Sequence, residues 1–336
     1  MQQADASPAQ VPPVLGRAEL VAHAHDSIAL GSKSFAMASK LFDPQTRERA
    51  WLLYCWCRRC DDIVDGQDHG GALSIVANPF ERLEQVHDLT ARALAGEPTG
   101  DPAFDALGLV VAECQIPHEW PFDLVRGFAM DAGDFSPRGE ADLLTYCYHV
   151  AGVVGLMMAV VMGVSPDDEE TLLRANDLGL AFQLANIARD ISEDADADRC
   201  YLPAIWLAEA DIPPGEHMKP PYRAQLAQVA ARLAALAGHY ELSARAGAAR
   251  LPFRSRWAVL AAAGIYGDIA REVKRRGAKA WDGRVMTSKS EKLGWVAKAL
   301  GQSFQQVAWQ EREALWRPTF STSEDLESPS AKIPQD

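Results

Sequence analysis

Two short acidic segments, Asp61-Asp62-Ile63-Val64-Asp65 and Asp190-Ile191-Ser192-Glu193-Asp194, lie about 130 residues apart and share one layout. Each ends an apolar, helix-like stretch, and Tyr54 or Gln183 stands seven positions before the first Asp. At roughly 100° per residue, offsets of seven and eleven return to nearly one azimuth. The pattern therefore predicts two helical stripes, Tyr54–Asp61–Asp65 and Gln183–Asp190–Asp194, each closing on a carboxylate pair. Acids at a helix C-terminus oppose the macrodipole, and a local violation repeated in matching geometry points to function. Two such stripes face to face would cage a hard divalent cation, Mg²⁺ (or Mn²⁺), and an ion held this way shares its coordination with a substrate phosphate. The bland alternative is a pair of ordinary solvated helix ends.

Other positions could join that chemistry. Arg58 shares the first stripe and Arg189 precedes Asp190, with Arg59 and Arg199 nearby. These guanidiniums either neutralise adjacent acids or grip phosphate oxygens bidentately. Gly31-Ser32-Lys33-Ser34 has the end of a P-loop without its earlier glycine or a preceding strand. A phosphate-touching hydroxyl pair and a plain capping turn both fit it. Gly152, Gly155 and Met157–Met158 would form either simple core or the smooth wall of a hydrocarbon tunnel. His149, inside an apolar stretch, fits a packed core residue better than a base. No Gly-x-Gly-x-x-Gly motif occurs, so no nicotinamide cofactor is expected. Cys55, Cys57 and Cys60 point in different directions on a helix, which suits free thiols in a reducing compartment rather than a metal cluster.

These stripes need a helical frame. Of the 336 residues, 48% are hydrophobic, carried by Ala, Leu and Val in helical periodicities. That predicts an all-α domain. A formal net charge of −13 excludes a nucleic-acid backbone as partner and leaves metal ions to supply positive charge for anionic substrates. Breaker clusters divide the chain into expected helices at 18–30, a short one to 41, 44 to the first acidic segment, 80–95, 103–115, 119–131, 140–162, 167–193, 202–209, 221–246, 253–276 and 289–314. Residues 1–17 and 315–336 have the composition of disordered tails around one domain, 18–314. The apolar run Val150 to Val164 is too short to span a bilayer, and no secretory signal is visible. A cytoplasmic protein is expected, with peripheral contact at the inner face of the membrane.

Taken together, the motifs resemble the squalene/phytoene synthase family, most closely its bacterial phytoene synthases. Tyr146-Cys147-Tyr148-His149-Val150-Ala151-Gly152-Val153-Val154-Gly155-Leu156-Met157-Met158 is similar to one family signature throughout. A second runs from Leu178-Gly179 through Gln183, Asn186, Arg189-Asp190 and Asp194 to Arg199-Cys200-Tyr201-Leu202-Pro203. Ser32-Lys33-Ser34-Phe35 and Tyr54…Arg58…Asp61-Asp62-Ile63-Val64-Asp65 supply the other landmarks, in the expected order over roughly 18–310.

The resemblance implies an isoprenoid-synthase-type helical bundle around a central cavity. It implies head-to-head condensation of two geranylgeranyl diphosphates, through a cyclopropyl (prephytoene) diphosphate, to phytoene, the first committed step of carotenoid biosynthesis. Carried over, Asp61, Asp65, Asp190 and Asp194 bind the metal, and Tyr54 and Arg58 belong with them in the catalytic set. Ser32, Ser34, Gln183, Asn186 and Arg189 position or grip substrate. Tyr54, Tyr146, Tyr201 and Tyr266 face the reacting carbons or the leaving group, Tyr266 on the least motif support. Other carotenoid-pathway enzymes are implied as partners. Two alternatives stay open: dehydrosqualene or squalene synthesis from farnesyl diphosphate, and a non-catalytic helical scaffold.

Overall fold

The computed structural model describes residues 15–66, 78–305, 311–312 and 314–319. Among them every regular element is a helix. In order they are α1 (Arg17–Gly31), α2 (Lys33–Ala38), a 3₁₀ turn (Ser39–Leu41), α3 (Pro44–Asp65), α4 (Pro79–Leu94), α5 (Pro102–Cys114), α6 (Glu119–Ala132) and α7 (Glu140–Cys147). A π-helical turn (Tyr148–Gly152) leads into α8 (Val153–Val161), followed by α9 (Glu169–Asp196), α10 (Ala204–Glu209), α11 (Arg223–Gly247), α12 (Phe253–Arg276) and α13 (Lys289–Ser303).

Local chemistry sets most of these boundaries. The Asp43 side chain accepts from Thr46 N at 3.0 Å, with Pro44 at the first position of α3. Asp101 caps α5 ahead of Pro102, and Asp168 caps α9 through Thr171 N at 3.2 Å. Each cap satisfies an amide that the helix itself leaves without a partner. Gly66, at φ 63°, ends α3 in the left-handed region that glycine adopts without strain.

The helices pack in a closed ring. α1 packs on α3, α3 on α8, α8 on α9 and α9 on α12; the Ser39–Leu41 turn joins α12 back to α2 and α1. Arg254 of α12 fastens that closure by donating to the Leu41 carbonyl at 2.7 Å. One hydrophobic core runs through the assembly from Leu20 to Ala299. At the α8–α9 crossing a Cβ on Gly155 would lie 2.4 Å from Ala175 O, and one on Gly179 would lie 2.3 Å from Ala151 O. These glycines allow close helix approach, a more specific role than either the simple core or the smooth wall expected of Gly152 and Gly155.

Two expectations need correction. The helix lies where expected, at 140–162, but the apolar run Val150–Val164 understates its apolar length. Glu140–Val161 spans 22 residues and is, by length and composition, apolar enough to cross a membrane. In this fold 61% of its most apolar window is buried against other helices, as in a core helix. The last helix stops at Ser303 rather than 314. Arg312 is instead held by a bidentate pair to Asp177 (2.8 and 2.7 Å) and by its own bonds to the carbonyls of Leu315 and Trp316. Leu315 and Trp316 pack against the core, so the expected tail begins as a docked strap. Residues 1–14 and 320–336 of the expected tails, and 67–77 of the loop before α4, lie outside the described residues.

Candidate active site

The ring presents its chemistry through half-buried faces. On α3 the partly exposed positions include Arg47, Trp51, Tyr54, Arg58 and Asp61; on α9 they include Ala175, Leu178, Phe182, Gln183, Asn186, Arg189, Asp190 and Asp194. The π turn adds Ala151, α8 adds Val154 and Met158, and α12 adds Ala262 and Tyr266. Each set recurs every three or four residues, so one stripe per helix keeps solvent access while its flanks are core.

On α3, the Tyr54 hydroxyl approaches the α1–α2 junction so closely that a Cβ on Gly31 would lie 2.6 Å from it. Burial pushes the Tyr54 phenol up to about 12, so it stays neutral. Phe35 packs against its ring at 5.4 Å. Ser32 caps α2, accepting from Phe35 N at 3.2 Å, which is the capping-turn alternative. Arg58 donates to the buried Asp62 from Nε (3.0 Å) and a terminal nitrogen (2.5 Å), with Asp61 at 3.7 Å. Arg58 thus neutralises adjacent acids in this structure. The side chains of Ser34 and Asp65 lie outside the described residues.

The α9 end repeats the arrangement. Arg189 forks onto Asp190, its Nε at 2.7 Å, and Arg284 reaches the same carboxylate at 3.0 Å. Trp281, which donates to the Ala188 carbonyl at 3.1 Å, anchors the loop that delivers Arg284. Asp194 has its carboxyl pushed up to about 7, first by burial and then by the charge of Asp190, with Arg199 pulling the other way. Tyr266 stacks on Phe182 at 4.1 Å. Tyr146 and Tyr201 stack at 4.8 Å, and both hydroxyls donate to Asp131 of α6, at 3.0 and 2.8 Å.

The structure therefore builds two groups on one ring: Ser32, Tyr54, Arg58 and Asp61 on the α1–α3 side, and Arg189, Asp190, Asp194, Tyr146, Tyr201 and Tyr266 around the end of α9. Among the described residues no three His, Cys, Asp or Glu side chains converge on one metal-sized point. The donor chemistry nevertheless fits a divalent cation. Arginines already stand in as counter-ions at both carboxylate sets, and burial beside Asp190 disfavours the Asp194 anion. A cation here would complete its coordination from a bound anion.

Asp131 and Arg284 escaped the sequence reading, and Asp62, though inside the first acidic segment, is given no role of its own there. Asp131 carries the same signal that exposed the other acids, a carboxylate in the last turn of a helix. Arg284 lies in an irregular loop, where no periodicity marks it.

Comparison with known proteins decides the kinship. The family model for squalene/phytoene synthase matches residues 28–291. The chain belongs to that family. It is 49% identical to the phytoene synthase of Pseudescherichia vulneris over 285 residues, covering 84% of this chain and 92% of that protein. It is 47% identical to the 15-cis-phytoene synthase of Pantoea ananas, with the same coverage. A dehydrosqualene synthase crystallised with a ligand superposes with a TM-score of 0.75 at 25% identity, covering 85% of this chain and 97% of its own. A squalene synthase from Alicyclobacillus acidocaldarius shares the fold at a TM-score of 0.67 and 23% identity, over 77% of this chain and 96% of that one. The chain is accordingly an all-α, prenyltransferase-type enzyme of the squalene/phytoene synthase family.

Proposed function

We propose that this enzyme is a phytoene synthase that joins two geranylgeranyl diphosphates head to head, with residues 18–314 as its single working domain. The observation that carries the reading is an arginine engaged with carboxylates toward the end of each of two helices of one closed ring, Arg58 with Asp62 and Asp61 on α3 and Arg189 with Asp190 on α9. Asp61, Asp65, Asp190 and Asp194 would hold Mg²⁺ or Mn²⁺. Bound divalent cations supply positive charge against the diphosphate as it leaves.

The chain's own residues do the remaining work. Arg58, Arg189 and Arg284 exchange carboxylate partners for phosphate oxygens and stabilise the developing charge. Ser32, Ser34, Gln183 and Asn186 fix the diphosphate and the first carbons. The half-buried apolar faces of α8 and α9 sheath the prenyl chains and exclude water, which would otherwise capture the allylic cation. Aromatic rings, Phe182 and Tyr266 among them, stabilise that cation without attacking it. No nicotinamide is required, because coupling to phytoene ends in proton loss rather than reduction.

Supplying purified protein with Mg²⁺ and either geranylgeranyl or farnesyl diphosphate tests the reading. A C40 hydrocarbon from the first substrate is the expected product; a C30 product with no C40 would assign the enzyme to farnesyl diphosphate instead. The insoluble product also motivates contact with the inner face of the membrane and hand-over to other carotenoid-pathway enzymes. Co-sedimentation with liposomes is expected, and full recovery in the supernatant would contradict it.

A further inference from the structure

Tyr146 and Tyr201 come to the site from α7 and from the segment after α9, yet they meet at one carboxylate. The Tyr146 hydroxyl lies 3.0 and 3.3 Å from the two oxygens of Asp131, and the Tyr201 hydroxyl lies 2.8 Å from one of them. Phe135 covers one face of the Tyr146 ring at 5.4 Å and Tyr201 packs on it at 4.8 Å, all nearly parallel. Both tyrosines are buried.

A phenol has one proton to donate. While both protons are given to Asp131, neither hydroxyl can donate to a diphosphate oxygen. Tyr146, with neighbours on its ring, has only its oxygen left to offer. An O–H bond directed onto a carboxylate makes the phenolic oxygen more electron-rich, because hydrogen bonds to charged acceptors polarise the donor. The block stands beside the end of α9, because Tyr201 follows Asp196 closely in the chain and bonds Asp131 directly.

We propose that Asp131 is a positioning residue that draws both phenolic protons away from the leaving group and so makes Tyr146 and Tyr201 an electronegative pole for the allylic cation. The proposal rests on the reading of the enzyme as a synthase that ionises an allylic diphosphate, and it assigns the two tyrosines to the carbon side of the reaction. Preorganised dipoles of this kind act where charge develops, without reorganising during the reaction. Pinning Tyr201 also fixes the segment that carries Arg199 alongside Asp194.

The test follows pyrophosphate release with whichever allylic diphosphate the unmodified enzyme consumes. If the unmodified enzyme releases none from either substrate, the synthase reading fails by itself. Given turnover, Asp131→Asn is expected to lower kcat at least about tenfold, consistent with the loss of one charge-assisted contact. KM should stay within about threefold, and inhibition by inorganic pyrophosphate with Mg²⁺ within about twofold, since the diphosphate contacts are untouched. In a Tyr146→Phe/Tyr201→Phe background the same substitution should change kcat by less than about twofold, because its effect runs through the phenols. Asp131→Glu should recover part of the lost rate. An unchanged kcat in Asp131→Asn, or effects that multiply across the two backgrounds, would overturn the proposal. If Asp131→Asn does not fold, Tyr146→Phe and Tyr201→Phe carry the test. Each should slow turnover while leaving pyrophosphate inhibition intact, and a tenfold weaker inhibition would place the phenols on the leaving group and reject the idea.

Discussion

Asp194 shows how strongly one residue can be shaped by the charge it is meant to meet. Burial, and then the neighbouring Asp190, raise its carboxyl to about 7. An unfolded Asp ionises near about 3.9. As pH rises from about 4 to about 7 the unfolded chain loses this proton while the folded one keeps it, so stability falls across that window and the full cost persists above it. In metal-free protein, Asp194→Asn should therefore match the parent at about pH 4 and melt roughly 2–6 °C higher than it at about pH 8. Melting curves that stay parallel across the range would contradict this. Tyr54, Arg58 and Asp61 on α3, and Gln183, Asp190 and Asp194 on α9, lie on partly exposed faces at the spacing that helix periodicity gives, with Arg189 beside Asp190. Which partner Arg58 takes was not legible in the sequence, since Asp61 and Asp62 are both within reach along the helix and only packing buries Asp62.

At the scale of elements, the helices follow from apolar periodicity and from Asp, Ser and Pro at their starts, and their observed ends lie within a few residues of those expected except for the last, which stops at Ser303 rather than 314. The π turn at Tyr148–Gly152 was invisible, because one extra residue per turn leaves the apolar composition unchanged. It falls where the backbone crosses α9 through glycines, and contacts distant in sequence decide it. Replacing Gly155 with Val would drive a side chain into the Ala175 carbonyl. We expect a loss of roughly 2–4 kcal/mol in urea unfolding. A variant as stable as the parent would show that the crossing can open without cost.

For the whole molecule, the all-α class was legible, whereas the ring's closure and the docked strap depend on pairings more than 130 residues apart, which no local pattern encodes. Arg312 and Asp177 are almost fully buried together, and burial raises the Asp177 carboxyl despite the guanidinium beside it. Removing one partner of such a pair strands the other charge. Arg312→Ala should therefore cost about 3–5 kcal/mol in chemical unfolding, and a loss below about 1 kcal/mol would mean that the strap detaches freely. Above these details stands the claim that α3 and α9 act on one ligand. Electron paramagnetic resonance of Mn²⁺ with inorganic pyrophosphate measures this without requiring turnover. Tight Mn²⁺ uptake should require pyrophosphate and should be lost in both Asp61→Asn and Asp190→Asn, with helical circular dichroism retained. Uptake that survives either substitution would show that the two carboxylate sets do not share a ligand.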